Sequence, residues 1–189
     1  MYHCRTLTRE EIIDTYNRHM KIDFPKDELK PLPRIISSLE KNQYICYGIF
    51  NNDSLCGYAY FAYIIEGEKK CYLLDYFATV KEFRDQGIGS EFLKTLYNKV
   101  SDVELVLCEA ETTAGTTGDE YNIRNRRISF YLSNNFIDTD VTASAFGVDF
   151  VLLELDLGKK HTKEDIKSYY AKLYRSFLPE KIYIKYVKV

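Results

Sequence analysis

The sequence predicts one mixed α/β domain in which helices flank a central sheet. Three observations support this class. Apolar runs of strand length alternate with segments whose apolar residues recur at helical spacing. The 189 residues suffice for a domain with a real core, and the composition of 46% hydrophobic and 29% charged residues is globular. No internal repeat or low-complexity linker divides the chain.

The first half of the chain predicts a strand, two helices and a hairpin. "YHCRTLT" predicts a short strand, and Thr8 with Glu11 forms a capping box that begins a helix. Three prolines make the next segment irregular, before a short helix from about Arg34. "YICYGIF" and "LCGYAYFAYII" flank the turn residues of 51–54, which predicts a hairpin.

The second half predicts further strands separated by helices. "CYLLDYFATV" reads as a strand, and a helix with an apolar face follows it. "VELVLCEA" predicts a strand covered on both sides, before a polar loop and a basic helix around "IRNRRISFYLSNN". Two more strands, "FIDTDV" and "VDFVLLELDL", precede a last helix that begins at Thr162 and ends before Pro179, and "KIYIKYVKV" predicts a terminal strand.

This order predicts the domain organisation. We expect a domain over residues 1–158 and a C-terminal helix and strand, residues 159–189, packed on the same domain. The C-terminal helix is rich in tyrosine. We expect it to pack either against the domain or against a second subunit of a homodimer.

Charge and cysteine usage exclude several classes of function. A net charge of -2 gives no basic field for nucleic acid or for an anionic membrane surface. Five scattered cysteines without a C-x-x-C, and three histidines without ligand spacing, predict neither a disulfide framework nor a metal site. No apolar run has the length of a signal-peptide core or a membrane span, so we expect a cytoplasmic protein.

"RDQGIG", residues 84–89, places two glycines where a helix begins after a strand. The first turn of a helix has free N–H groups, which favour an anion and above all a phosphate. Glycine lets the backbone approach such a ligand closely. A Walker loop is absent, and Phe92 stands where the Rossmann pattern needs a small residue. The two common nucleotide motifs are therefore excluded.

Two motifs resemble those of the GNAT superfamily of N-acetyltransferases. "RDQGIG" satisfies the family pattern [RQ]-x-x-G-x-[GA], and "RRISFYLSNNF" is similar to A-x-x-[LF]-Y-x-x-x-G-F at Phe130, Tyr131 and Phe136. Asn135 stands at the usual glycine and is one of the few residues that accept a left-handed conformation. The asparagine common seven residues before the tyrosine is replaced by Arg124, and Asn125 is one place away.

The resemblance covers about residues 70–140 and implies a fold and a cofactor. The implied sheet is mixed, mostly antiparallel, and splayed between the fourth and fifth strands. The implied cofactor is acetyl-CoA, bound as a cosubstrate. Its pyrophosphate would lie on the backbone of the loop and helix start, and its pantetheine arm would pair with the strand edge. The cofactor-binding residues are then Ala78, Thr79, Val80, Arg84, Asp85, Gln86, Gly87, Ile88, Gly89, Ser90 and Asn125.

The implied reaction is direct transfer of the acetyl group to a primary amine of a small molecule or peptide. Tyr131 matches the family's acid, which protonates the departing thiolate. Asp75 interrupts an apolar strand and is a candidate base, on a face that alternation would share with Phe77 and Thr79. The alternative for Asp75 is an ion pair or the capping of backbone amides.

Other residues of the next strand are rivals for these roles. Glu109 and Glu111 are alternative bases, each acting through water. Cys108 has no histidine partner in the sequence, so a buried core cysteine is favoured over a nucleophile.

An acidic stretch follows in the sequence. Residues 100–123 contain six acids and no lysine or arginine. They favour either the selection of a cationic amine or an ordinary solvated loop. The basic run Arg124, Arg126 and Arg127 either reaches the cofactor phosphates or pairs with the acidic loop. The alternative function is a non-catalytic acyl-CoA-binding sensor or structural subunit with the same fold.

Overall fold

The computed structural model describes residues 2–26 and 28–189. The strands form one mixed sheet in the order β1-β2-β3-β4-β5-β7-β6-β8. These strands are β1 (Tyr2–Thr6), β2 (Tyr44–Asn51), β3 (Ser54–Glu66), β4 (Lys69–Thr79), β5 (Leu105–Glu111), β6 (Phe136–Ala145), β7 (Val148–Leu155) and β8 (Val187–Lys188). The α-helices are α1 (Arg9–Thr15), α2 (Lys21–Asp23), α3 (Leu32–Glu40), α4 (Ile88–Val100), α5 (Gly118–Leu132), α6 (Lys163–Phe177) and α7 (Glu180–Tyr186).

The chain divides into two compact units. The first comprises Met1–Ala62 and Asp75–Val100, and the second comprises Tyr63–Leu74 and Ser101–Val189. Within the described residues, none of the helices combines the length and the apolar character needed to cross a membrane.

The first unit confirms the predicted capping box and hairpin. Thr8 accepts from the backbone of Glu11, and the Glu11 side chain accepts from the backbone of Thr8. A π-helical turn, Tyr16–Met20, lies between α1 and α2. Strands β2 and β3 pair antiparallel as far as Asn51↔Ser54, and Asn52 supplies the left-handed turn residue with φ 51°.

Aromatic side chains fill the core of the first unit. Tyr60 makes edge contacts with Tyr44, Tyr58 and Tyr76, and Phe24 packs edge-on against Tyr76 with ring centroids 4.9 Å apart. Edge-to-face aromatic pairs contribute about 0.5–1.5 kcal/mol beyond their buried area. A buried tyrosine also needs a partner for its hydroxyl, so this core brings several polar atoms beneath the segment that joins α2 to α3.

The second unit contains the parallel pair of the mixed sheet. Strands β4 and β5 pair over four residues, from Cys71↔Leu105 to Leu74↔Cys108. Strand β5 then continues antiparallel to β7 as far as Glu111↔Phe150. Helix α6 packs its apolar face on the sheet of its own unit, through the buried residues Ile166, Tyr170, Leu173 and Tyr174.

The prediction of a terminal strand is wrong for most of "KIYIKYVKV". Helix α7 occupies Glu180–Tyr186, and only Val187–Lys188 form a strand. Within α7, Tyr183 is buried, whereas Ile184 is 67% exposed. The β propensity of the alternating tyrosines and isoleucines is therefore overridden by the packing of the segment.

Candidate functional site

The predicted phosphate loop is an open turn at the start of α4. Strand β4 leads through a short 3₁₀ turn, Lys81–Phe83, to an exposed stretch whose Asp85 and Gly87 have φ of 58° and 77°. At the start of α4 the Glu91 N–H donates to the Gly87 carbonyl at 3.1 Å. Helix geometry therefore leaves the amides of 88–90 directed at the loop, where an anion would lie.

Gly87 has open space around it. A Cβ built there meets nothing within 4 Å, so the glycine is needed for its positive φ and not for packing inside the protein. Gln86 closes the turn, because its side-chain amide donates to the Glu82 carbonyl at 3.0 Å.

Arg84 is fixed by two acceptors in the first unit. Its guanidinium pairs with Asp23 at the end of α2, and its Nε donates to the Thr79 carbonyl at 3.1 Å. Asp23 is only 5% exposed and also accepts from the Tyr58 hydroxyl at 2.6 Å. The charge of Arg84 is thus partly balanced within the unit, and its main role in this geometry is to hold the loop at the end of β4.

Near the end of β4, the backbone N–H and carbonyl of Thr79 point away from β3. The Val80 N–H donates to the Cys56 carbonyl at 2.9 Å, and the Ala78 carbonyl lies 2.9 Å from where a Cβ on Gly57 would be. Alternation then directs the N–H and carbonyl of Thr79 to the opposite edge. Of the three residues predicted to pair with a pantetheine arm, Thr79 has the geometry for it.

Asp75 lies in a built ion-pair site of the first unit. The Lys30 ammonium is 2.7 Å from each of its carboxylate oxygens, and the Tyr44 hydroxyl donates to the same carboxylate. The side chain of Asp75 is 13% exposed and that of Lys30 is 32% exposed. Burial raises the pKa of Tyr44 well above its ordinary value, and the negative charge of Asp75 raises it further. The ion-pair alternative for Asp75 is the arrangement observed, with lysine as the cation.

The predicted shared face of Asp75 and Phe77 is wrong. Asp75 and its neighbour Tyr76 both contact Lys30, whose backbone N–H donates to the Tyr76 hydroxyl at 2.8 Å. Phe77 instead stacks on Phe92 of α4, with ring centroids 5.4 Å apart. Strict alternation does not hold over these three residues, as in a β-bulge, which re-aims one side chain of a strand.

Glu109 has a different environment, in the second unit. The hydroxyls of Tyr170 and Tyr174, one turn apart on α6, donate to the same carboxylate oxygen at 2.5 Å and 2.7 Å. Burial is the main cause that raises the pKa of both phenols well above their ordinary value, and Glu109 raises it further. Two neutral donors therefore fix this carboxylate and stabilise its charged form.

The acidic stretch and the basic run pair with each other. Arg124 contacts Glu111 and Glu120 at 2.8 Å each and donates to the Thr112 carbonyl, and Arg127 contacts Glu111 at 3.1 Å. Of the two alternatives for the basic run, pairing with the acidic stretch is the one observed for Arg124 and Arg127. Such contacts tie α5 to the end of β5.

Tyr131 is buried on α5 in the second unit. Its hydroxyl is hydrogen-bonded to the Cys108 thiol, and its ring packs edge-on against Phe136. Burial raises the pKa of Tyr131 well above its ordinary value, so the phenol keeps its proton at any physiological pH. Burial also raises the pKa of Cys108 to about 12, which keeps the thiol protonated and does not suit a nucleophile.

Two asparagines near Tyr131 differ in their surroundings. Asn135 has φ 67°, the left-handed conformation expected at the family's glycine, and its side chain donates to the Asp156 carbonyl at 2.9 Å. Asn125 is exposed on α5. Among the residues that the structure describes, no group of three or more potential ligand side chains could hold a metal ion.

Four residues that contact the predicted site residues were not predicted from the sequence. They are Asp23, Lys30, Tyr170 and Tyr174, which hold Arg84, Asp75 and Glu109 in place. The signals for them were weak: an excess of tyrosine, 17 in the chain, and single charges in an irregular segment.

Comparison with known proteins identifies a family model that matches the chain. The model is described as the Acetyltransferase (GNAT) family, and it matches residues 8–117, which include β4, the loop and α4. A search of curated proteins found no match.

Solved structures resemble this chain in fold. A protein assigned to the GNAT acetyltransferases of Bacteroides thetaiotaomicron has a TM-score of 0.73 at 18% identity, covering 91% of this chain and 96% of its own. The ribosomal-protein-S18-alanine N-acetyltransferase of Escherichia coli has a TM-score of 0.61 at 15% identity, covering 85% and 97%. A GNAT family acetyltransferase of Elizabethkingia anophelis, with acetyl-CoA bound, has a TM-score of 0.56 at 14% identity, covering 82% and 97%. At these identities the likeness shows the fold.

Proposed function

The chain belongs to the GNAT acetyltransferase family, and on that premise we propose that it transfers an acetyl group from acetyl-CoA to a primary amine of a small molecule or peptide. The observation that carries the proposal is the loop of residues 84–90. It combines an open positive-φ turn at Gly87 with the N-terminal end of α4, where free helix amides favour an anion. The Elizabethkingia relative, which has the same fold, is a protein with acetyl-CoA bound.

The pyrophosphate of acetyl-CoA would lie on the loop backbone. Its pantetheine arm would pair with Thr79, whose carbonyl already accepts from Arg84 and has a second lone pair to offer. Main-chain pairing is insensitive to side chain, so threonine serves at this position as well as valine would.

Asp75 is the proposed base. The Lys30 ammonium lies within hydrogen-bond reach of both its oxygens, so an amine can approach this carboxylate closely enough to give it a proton. Glu109 is the alternative, acting through water. Tyr131 is the proposed acid, and its raised pKa keeps it protonated and ready to donate to the leaving thiolate. A protein acting in the cytoplasm is consistent with this cosubstrate.

Thermal unfolding with acetyl-CoA tests the cofactor site. A ligand at 100 times its Kd stabilises the folded state by about 2.7 kcal/mol. Gly87→Leu should abolish most of this shift, because the side chain would occupy the space of the pyrophosphate. Gly67→Leu is the matched control: Gly67 has φ 63° and nothing within 4 Å of a built Cβ, so it has the same backbone strain away from the loop.

Thiol release from acetyl-CoA tests the reaction against a panel of polyamines, aminoglycosides, amino acids, peptide N-termini and lysine peptides. Release that depends on one class of amine supports the enzyme and identifies its acceptor. Stabilisation by acetyl-CoA without release for any amine would favour the second candidate, a non-catalytic acyl-CoA sensor or structural subunit. A larger thermal shift with NAD or ATP would contradict both.

A further inference from the structure

The first unit contains an amine, that of Lys30, next to the proposed base Asp75, and the backbone of Lys30 is fixed by hydrogen bonds. The Lys30 N–H donates to the Tyr76 hydroxyl at 2.8 Å, and the Lys30 carbonyl accepts from the Tyr16 hydroxyl at 3.0 Å. The backbone of Lys30 is therefore fixed on both sides, beneath an otherwise irregular segment. Its ammonium then lies on Asp75, 2.7 Å from both oxygens.

This amine lies along the path that the cofactor would follow. With the pyrophosphate on residues 84–90 and the pantetheine arm beside Thr79, the thioester end points back along β4, toward Asp75. Thr79 lies four positions after Asp75, which is about 13 Å along a strand. The Asp75 side chain contacts Lys30, whereas Phe77 contacts Phe92 of α4, so the two side chains point in different directions.

We propose that Lys30 is a self-acetylation site of this protein, an inference that rests on the proposed function. The chemistry needs the neutral amine, and Asp75 accepts the proton that the Lys30 ammonium releases. The nitrogen lone pair then attacks the thioester carbonyl, an N–C bond forms, and the C–S bond breaks. The departing thiolate takes the second amine proton to give free CoA, and the proton held by Asp75 goes to solvent. The products are N-acetyl-Lys30 and CoA.

The geometry distinguishes Lys30 from the other lysines of the same unit. Lys94 is exposed on α4 and reacts with acetyl-CoA only as any solvated amine does. Lys30 has a carboxylate within hydrogen-bond reach and a fixed backbone, and such positioning by a general base contributes about 10²–10⁴-fold to a rate.

The experiment is incubation of the full chain with acetyl-CoA and no added amine, followed by fragmentation mass spectrometry. Acetyl-Lys30 should form about 10²-fold faster than acetyl-Lys94. The rate constant should not change on dilution of the protein, because donor site and acceptor lie in one chain. Asp75→Asn should slow the labelling of Lys30 but not of Lys94. Lys30→Arg, which keeps a cation on Asp75, should retain the thermal shift with acetyl-CoA and leave only the background labelling.

Thermal shifts with acetyl-CoA, measured in parallel, distinguish a failure of the self-acetylation proposal from a failure of the proposed function. Equal labelling of Lys30 and Lys94 in a chain that acetyl-CoA stabilises would overturn the self-acetylation and leave the cofactor site intact. A labelling rate that rises with protein concentration would also overturn it, since it indicates transfer between molecules. A chain that acetyl-CoA does not stabilise would contradict the proposed function itself.

Discussion

Asp75 and Glu109 are carboxylates on neighbouring strands of the sheet, but their partners differ in kind. Asp75, in the first unit, faces an ammonium and one phenol, whereas Glu109, in the second unit, accepts from two phenols on one helix. An ammonium partner shows that a site accommodates an amine. A pair of phenols shows a carboxylate that is tied to the C-terminal helix. Under the proposed function, Asp75 is therefore the carboxylate that handles an amine, and Glu109 is the one that attaches α6.

The largest expected effect is the loss of activity when each carboxylate is replaced by its amide, and this loss tests whether Asp75 and Glu109 have different roles. Asp75→Asn should lower kcat by about 10²–10⁴-fold, because a general base is lost. Glu109→Gln keeps the shape of the side chain and should cost far less activity. Thiol release at saturating acetyl-CoA measures both. A greater loss for Glu109→Gln would reverse the two assignments.

Replacement of Tyr131 sharpens the comparison by testing the acid that either carboxylate would need. Tyr131→Phe removes one hydroxyl and should lower kcat by roughly 10²-fold, while KM for acetyl-CoA changes little. Since burial raises the pKa of this phenol above its ordinary value, ionisation of Tyr131 should cause no loss of kcat as pH rises toward 10.

The pH profile and the variant check each other. A fall in wild-type kcat below pH 10 that disappears in Tyr131→Phe would contradict the raised pKa. Equal activity of wild type and Tyr131→Phe at every pH would show that Tyr131 is a packing residue without a catalytic role.

The phenols on Glu109 should affect stability more than activity. Tyr170→Phe and Tyr174→Phe each remove a hydrogen bond to a charged group, at a cost of about 1.5–3 kcal/mol in the free energy of unfolding. Both donate to one oxygen, so each can partly compensate for the loss of the other, and the double variant should lose more than the sum of the single losses. Urea unfolding measures the three variants. A double variant that unfolds as easily as the wild type would show that Glu109 does not hold α6.

A third carboxylate, Glu11, should have the smallest effect on stability. Its ion pair with Arg5 is more exposed than that of Asp75 and serves as a reference. Its hydrogen bond with Arg5 is the main cause that lowers the pKa of Glu11 to about 2, and burial opposes this shift. The pair therefore stabilises the fold above the unfolded pKa of about 4.3, and the stabilisation is lost as pH falls from there toward 2.

Solvent screening limits the size of this reference effect. The Glu11 side chain is 34% exposed, so Glu11→Gln should cost only about 1 kcal/mol at pH 7, including part of the helix cap. The difference from wild type should shrink between pH 4 and pH 2. A difference that grows over this range would contradict the lowered pKa.

Sequence reasoning succeeded where a few adjacent residues decide the structure. Thr8 and Glu11 cap α1 as predicted, and Gly87 and Asn135 adopt the left-handed conformation that their residue types accept. The motif around Gly87 also predicted the family that the comparisons show. Caps, turns and phosphate loops depend on backbone conformation within a few residues, so local chemistry determines them.

The tertiary structure alone decided the partners of the charged groups. Lys30 lies 45 residues from Asp75 in sequence, and Tyr170 lies 61 residues from Glu109. No local period links such residues, because their approach depends on how β4, β5 and α6 are packed. The terminal segment shows the same limit: its alternation favours a strand, but Glu180–Tyr186 form a helix that buries Tyr183. The sequence by itself determined the fold and the open turn before α4, whereas long-range packing decided which carboxylate is paired with a lysine.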